Sequence, residues 1–73
     1  MRSYTEREAD ILATGLLDVL IEIGQPTDHI AIIKKLYLET SWYGVGIQTA
    51  YRYVTELMSD GTLKDVGNGK YTI

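Results

Sequence analysis

The run from Thr62 to Ile73 constrains the fold most. Thr62-Leu63-Lys64-Asp65-Val66 and Lys70-Tyr71-Thr72-Ile73 are two short runs of mixed apolar and polar residues, and Gly67-Asn68-Gly69 separates them. An Asn-Gly step between two such runs is a strong hairpin signal. Register can be tested on paper, because one slip moves every side chain to the opposite face. A two-residue Asn68-Gly69 turn would set Lys64 on the same face as Val66, Tyr71 and Ile73. A three-residue loop of Gly67, Asn68 and Gly69 instead pairs Leu63 with Ile73 and Asp65 with Tyr71. Lys64, Val66, Lys70 and Thr72 then face outward, and only Asp65 sits awkwardly, so this register is expected.

Everything before the hairpin has helical periodicity. Thr5 and Glu8 have capping-box spacing, which lets hydroxyl and carboxylate serve unpaired N–H groups. Ala9, Leu12, Leu16, Val19, Leu20 and Ile23 then recur every three or four residues, the mark of one helix face. Ile11, Leu17 and Ile21 fall off that stripe. Gly24 and Pro26 stop the helix, which is expected over about residues 5–23. Thr27 or Asp28 caps a second helix over about 28–39, with Ile30, Ile33, Leu36 and Tyr37 inward and Lys34 and Lys35 outward. Thr40-Ser41-Trp42-Tyr43-Gly44-Val45-Gly46 reads as a loop. A third helix over 47–60 gathers Ile47, Ala50, Val54, Leu57 and Met58 on one arc. Gln48, Thr49, Arg52, Thr55 and Glu56 take the other arc, Tyr51 and Tyr53 its borders, and Asp60-Gly61 closes the helix.

These elements define an α+β chain of three helices followed by a two-stranded hairpin, expected to form one domain over 1–73. A chain of 73 residues buries only about 60% of the surface it exposes when unfolded, so a partner subunit would help it. The absence of cysteine removes disulfides, thiolate metal sites and cysteine nucleophiles, and suits a reducing compartment. No apolar run reaches the roughly 20 residues of a membrane span, and Met-Arg-Ser-Tyr-Thr-Glu-Arg-Glu is too polar for a signal peptide. A soluble, cytoplasmic protein is expected. The net charge of −3 argues against indiscriminate nucleic-acid binding. Residues 1–25 carry all of that excess, and the remaining two thirds are neutral.

Catalytic chemistry finds little to work with. His29 is the only histidine and begins the second helix, where it reads as a solvated residue. Glu6 and Asp10 form a solvated face with no histidine partner. Gly67-Asn68-Gly69 lacks the helix and lysine that complete a phosphate cradle, and no serine or threonine has a triad partner. An enzyme is not expected, nor a metal, cofactor or small-molecule substrate.

Three helices and a terminal hairpin, in that order, resemble a winged helix-turn-helix DNA-binding domain from about residue 8 to Ile73. The resemblance is most specific in Ile47-Gln48-Thr49-Ala50-Tyr51-Arg52, in Leu57-Met58-Ser59-Asp60-Gly61-Thr62-Leu63 and in the glycine-tipped Gly67-Asn68-Gly69-Lys70-Tyr71. Thr49-Ala50-Tyr51-Arg52 is similar to a Thr-Val-Tyr-Arg stretch in ferric-uptake-type repressors. Those repressors also have a metal-binding dimerisation domain rich in histidine and often cysteine, which this chain lacks, so only the DNA-binding module carries over. The resemblance implies a small dimeric transcription regulator, commonly a repressor, of the kind found in viruses, plasmids and archaea. It also implies that Tyr51 touches a base and Arg52 a phosphate.

Physical chemistry supports the same residues. A helix fits the major groove, and its N-terminal residues reach base edges. Gln48 can bond adenine N6 and N7, Thr49 a base edge or phosphate, and Arg52 guanine or the backbone. Lys64 and Lys70, with Asn68 at the tip, could hold flanking phosphates, and the N–H groups opening the third helix offer another phosphate site. Plainer readings exist for each: a solvated Gln48-Thr49 face, a core Tyr51, an Arg52–Glu56 pair, an ordinary turn around Asn68 and Lys70. Glu56 counts against DNA, since it repels phosphate unless turned aside or accepting from cytosine N4. Trp42 and Tyr43 are expected to roof the core. Otherwise they form a partner or dimer surface, a role open also to Ile11, Leu17 and Ile21 on the first helix. An interaction module that ignores DNA is therefore the rival reading.

Overall fold

A computed structural model describes residues 4–73. The chain runs α1 (Glu6–Ile23), β1 (Thr27–Asp28), α2 (His29–Thr40), a single 3-10 turn (Ser41–Tyr43), α3 (Ile47–Asp60), β2 (Lys64–Asp65) and β3 (Lys70–Thr72). The expected capping box closes the front of α1. The Glu8 N–H donates to Thr5 Oγ1 at 3.2 Å, and the Thr5 N–H donates to Glu8 Oε1 at 2.9 Å. Gly24 ends that helix with φ 72°, its N–H donating to the Leu20 carbonyl. Asp28, not Thr27, caps α2 by accepting from the Ala31 N–H at 2.9 Å. The three helices fall within one or two residues of their expected bounds.

The sheet departs from expectation. It has three antiparallel strands in the order β1-β3-β2, so the hairpin is not a free two-stranded finger. Thr27 lies opposite Tyr71 and Asp28 opposite Lys70, tying the hairpin to the α1–α2 junction. A two-residue strand has no periodicity to read, and helix-stop and cap signals crowd the segment that holds it. The hairpin register is the expected one, with Lys64 opposite Thr72 and Asp65 opposite Tyr71. Asp65, awkward on paper, is exposed and accepts from the Gly67 N–H at 2.8 Å, which braces the turn. Asn68 adopts φ 56° at the tip, between Gly67 and Gly69, both also at positive φ. Leu63 is buried as expected. Ile73 is instead exposed and Thr72 half-buried.

One apolar cluster joins Leu12 and Leu16 of α1, Ile32, Ile33 and Leu36 of α2, Ala50, Tyr53 and Val54 of α3, and Val45 and Leu63. Two expected core residues are displaced. Ile30 is exposed while Ile32 is fully buried, because four consecutive apolar residues (Ile30 to Ile33) leave the inward face of a helix undetermined. On α3, Ile47 is exposed and Tyr53 buried, so the inward arc is rotated toward Tyr53. Ile11, expected off the core, is half-buried and packs against it. Trp42 and Tyr43 do not roof the core: Trp42 is 89% exposed and Tyr43 is exposed beside it. The Ser41–Tyr43 turn carries both outward, and Val45 enters the core in their place. His29 is half-buried rather than solvated, its ring edge-on to Tyr71 at 5.9 Å between centroids. No helix among the described residues is long and apolar enough to cross a membrane.

Candidate nucleic-acid interface

Gly46 precedes α3 in an extended conformation and offers no side-chain cap. The first N–H groups of an α-helix have no intrahelical acceptor, so the α3 N-terminus presents donors that no cap occupies. Gln48, Tyr51 and Arg52 are exposed along the next turn, and Thr49 is half-exposed. Tyr51 is 51% exposed, which removes it from the core. Thr55, on the same arc, turns inward, its hydroxyl within 3.0 Å of the Tyr51 and Arg52 carbonyls.

Glu56 stands aside from these residues. Its carboxylate accepts from the Tyr4 hydroxyl at 2.7 Å, and Tyr4 packs edge-on against Tyr53 with 5.5 Å between ring centroids. The Arg52–Glu56 pair, the plainer reading of Arg52, is absent. Among the described residues Lys35 and Glu22, 3.1 Å apart, form the one salt bridge, which leaves Arg52, Lys34, Lys64 and Lys70 without an ion pair.

Side chains two apart on a strand share a face, so the register sets Lys64, Val66 and Lys70 on one side of the sheet with Asp28. Lys64, Val66, Asn68 and Lys70 are all exposed. Asp28 is already committed to capping. The Ala31 N–H holds its carboxyl below the usual carboxylate range, the positive charge of Lys70 adds to that, and desolvation opposes both. At the other end of the hairpin, the Thr62 N–H and hydroxyl hold the Asp60 carboxyl below its ordinary range.

Between α2 and α3 the structure brings together residues that sequence reasoning kept apart. A groove of about 240 Å³ is lined by Ile30, Ile33, Lys34, Ile47, Gln48 and Tyr51. Ile30 and Ile47 were expected in the core, so an apolar surface beside Gln48 had no signal of its own. The displacement of both from the core is what creates it. A second groove, about 370 Å³, runs between α1 and the end of α2 and is acidic, with Asp10, Asp18 and Glu39 beside Tyr43. Leu17 and Ile21 are exposed on the outer side of α1, and Leu38 on α2. Among the described residues no three histidine or carboxylate side chains gather closely enough to hold a metal ion.

Comparison with protein-family models, with curated proteins and with solved structures gives no match to this chain. The functional reading therefore rests on residues and geometry.

Proposed function

We propose that this chain is a small winged helix-turn-helix transcription regulator that binds double-stranded DNA in the cytoplasm. In this reading α3 enters the major groove and the wing, 62–73, lies on the flanking backbone. Gln48, Thr49 and Tyr51 face base edges, and Arg52, Lys64, Lys70 and Lys34 face phosphates. Gly69 lets the wing tip approach the duplex, where Asn68 contacts it. The role is binding rather than catalysis, and a homodimer would double the contacts by reading half-sites about one helical turn apart.

One observation carries the reading: the polar arc at the front of α3 is uncovered, and the acid on that arc is drawn away by Tyr4. The sheet adds to it, because pairing with β1 braces the two wing lysines against the start of α2.

The test is fluorescence anisotropy on a random-sequence duplex at two salt concentrations. Four phosphate contacts per subunit give a log–log salt slope near about −3.5, and Arg52→Ala should flatten it by about 0.9. Tyr43→Ala should leave it unchanged. No binding even at low salt would end the DNA reading.

A protein-interaction module is the second reading, favoured by the exposed Trp42 with Leu38 and Tyr43 close by in sequence. Exposed aromatics are enriched where proteins meet. Such a module would lose its partner on Trp42→Ala and bind with little dependence on salt.

A further inference from the structure

From the α2–α3 groove, and resting on the DNA reading above, we infer that the chain reads the thymine C5-methyl group of an A·T pair through Ile47, Tyr51 and Ile30. The groove has an unusual place for an apolar surface. Ile47 is the first residue of α3 and Tyr51 stands one turn on, 50% and 51% exposed, while Ile30 of α2 is 46% exposed across from them. All three are open to solvent, although the same sequence buries Ile32 and Ile33 within one turn of Ile30.

The polar rim identifies the occupant. Gln48 and Lys34 also line the groove, so side chains that end in an amide and a cation border the apolar floor. In the major groove adenine offers an acceptor and a donor at N7 and N6, which match a glutamine amide, and its thymine partner offers a methyl group. A G·C pair offers neither the donor–acceptor order that glutamine prefers nor a methyl. Lys34, unpaired among the described residues, supplies the charge for the adjoining phosphate. One A·T pair thus satisfies amide, apolar floor and cation together. Burying one methyl group is worth about a fourfold change in affinity.

The test uses the full chain and a duplex of roughly 20 base pairs, two helical turns, recovered from a randomised pool by binding. The same duplex is then made with deoxyuridine in place of each thymidine in turn, which removes the methyl and nothing else. Anisotropy is measured for the wild type, Ile47→Ala and Ile30→Ala, both at exposed positions where alanine leaves the core intact. One deoxyuridine replacement should weaken wild-type binding about fourfold, and the penalty should fall below about twofold in Ile47→Ala. Equal affinity at every thymidine position, or a recovered site without thymine, overturns the inference and leaves DNA binding standing. A penalty undiminished in both variants overturns it too, because the methyl is then read elsewhere. So does dissociation of a wild-type dimer by either variant, since the groove then belongs to a second copy. Failure to bind any duplex at any salt removes the parent reading and this one with it.

Discussion

At Gly15 of α1 the side chains of α2 leave no room for a Cβ, and adding one carbon there sets two known effects against each other. In the middle of a helix, Gly→Ala should stabilise by about 1 kcal/mol through backbone entropy. The structure opposes this. A Cβ on Gly15 would lie 2.8 Å from Thr40 Cγ2 and 3.2 Å from Leu36 Cδ1. Thr40 cannot swing away cheaply, because it is buried and its hydroxyl donates to the Leu36 carbonyl at 2.7 Å, which fixes the methyl toward Gly15. Overpacking of this kind costs about 1–3 kcal/mol. Gly15→Ala should therefore destabilise by about 1 kcal/mol net, lowering the melting temperature by about 4–8 °C. Thr40→Ser keeps the hydroxyl and removes the methyl, at a cost of about 0.8 kcal/mol. In the double variant the new Cβ occupies the space the methyl leaves. Its stability should match the wild type and exceed both single variants, a coupling of about 2 kcal/mol, within the range for residues in contact. Urea denaturation of the four proteins measures the cycle. A Gly15→Ala variant more stable than wild type, or additive single effects, would refute the close-approach account.

Other expectations follow from local chemistry. Tyr4→Phe removes the hydrogen bond to Glu56 and should cost under about 1 kcal/mol, as exposed contacts do. It should also weaken duplex binding by releasing a carboxylate beside Arg52, and Glu56→Gln in the same chain should restore affinity in the anisotropy assay. The Asp28 carboxyl is held below its ordinary value of 3.8 in the folded state. Its contribution is thus complete above the unfolded-state value and fades as pH falls through the folded-state one. Urea midpoints of Asp28→Ala and wild type should accordingly differ at neutral pH and approach each other as pH falls below the ordinary carboxylate range. Leu63→Ala empties a fully buried position under the hairpin and should cost about 2–5 kcal/mol, which circular dichroism would register as loss of a cooperative melt.

What the sequence made legible follows a physical division. Caps and turns act over three or four residues, so Thr5 with Glu8, Gly24, and the Gly67-Asn68-Gly69 loop could be read directly, and the hairpin register followed from the alternation of faces along a strand. Faces were harder. Ile30 to Ile33 and Tyr51 to Val54 each contain more apolar residues than one inward arc can hold, and only the packing of three helices decides which enter. β1 could not be seen because two residues carry no period, and its pairing with β3 joins residues 27–28 to 70–71. Gln48 and Arg52 were legible because polar residues on a helix with a full apolar arc have one direction left to face. The apolar groove beside them was not, since it exists only through the two isoleucines that the core leaves out.

A net charge of −3 disfavours contact with DNA, but position weighs more than the sum. Charges more than about 8 Å apart are largely screened at physiological ionic strength. Asp10, Asp18 and Glu39 gather on the α1–α2 groove, which no α3 residue lines, and Glu22 is matched by Lys35. The acids nearest the proposed interface are each committed locally: Glu56 to Tyr4, Asp60 to the Thr62 N–H, Asp65 to the Gly67 N–H. Of the cations there, Arg52, Lys64 and Lys70 form no ion pair among the described residues, and only Lys70 has an acid, Asp28, opposite it. On α3 and the hairpin three exposed acids thus each hold a local hydrogen bond, while Arg52, Lys64 and Lys70 form no ion pair among the described residues. In the DNA reading this asymmetry would supply a usable positive face without a positive protein. In the DNA reading so few cations would hold random sequence only weakly and at low salt, and discrimination would come from base-edge contacts at Gln48 and its apolar neighbours.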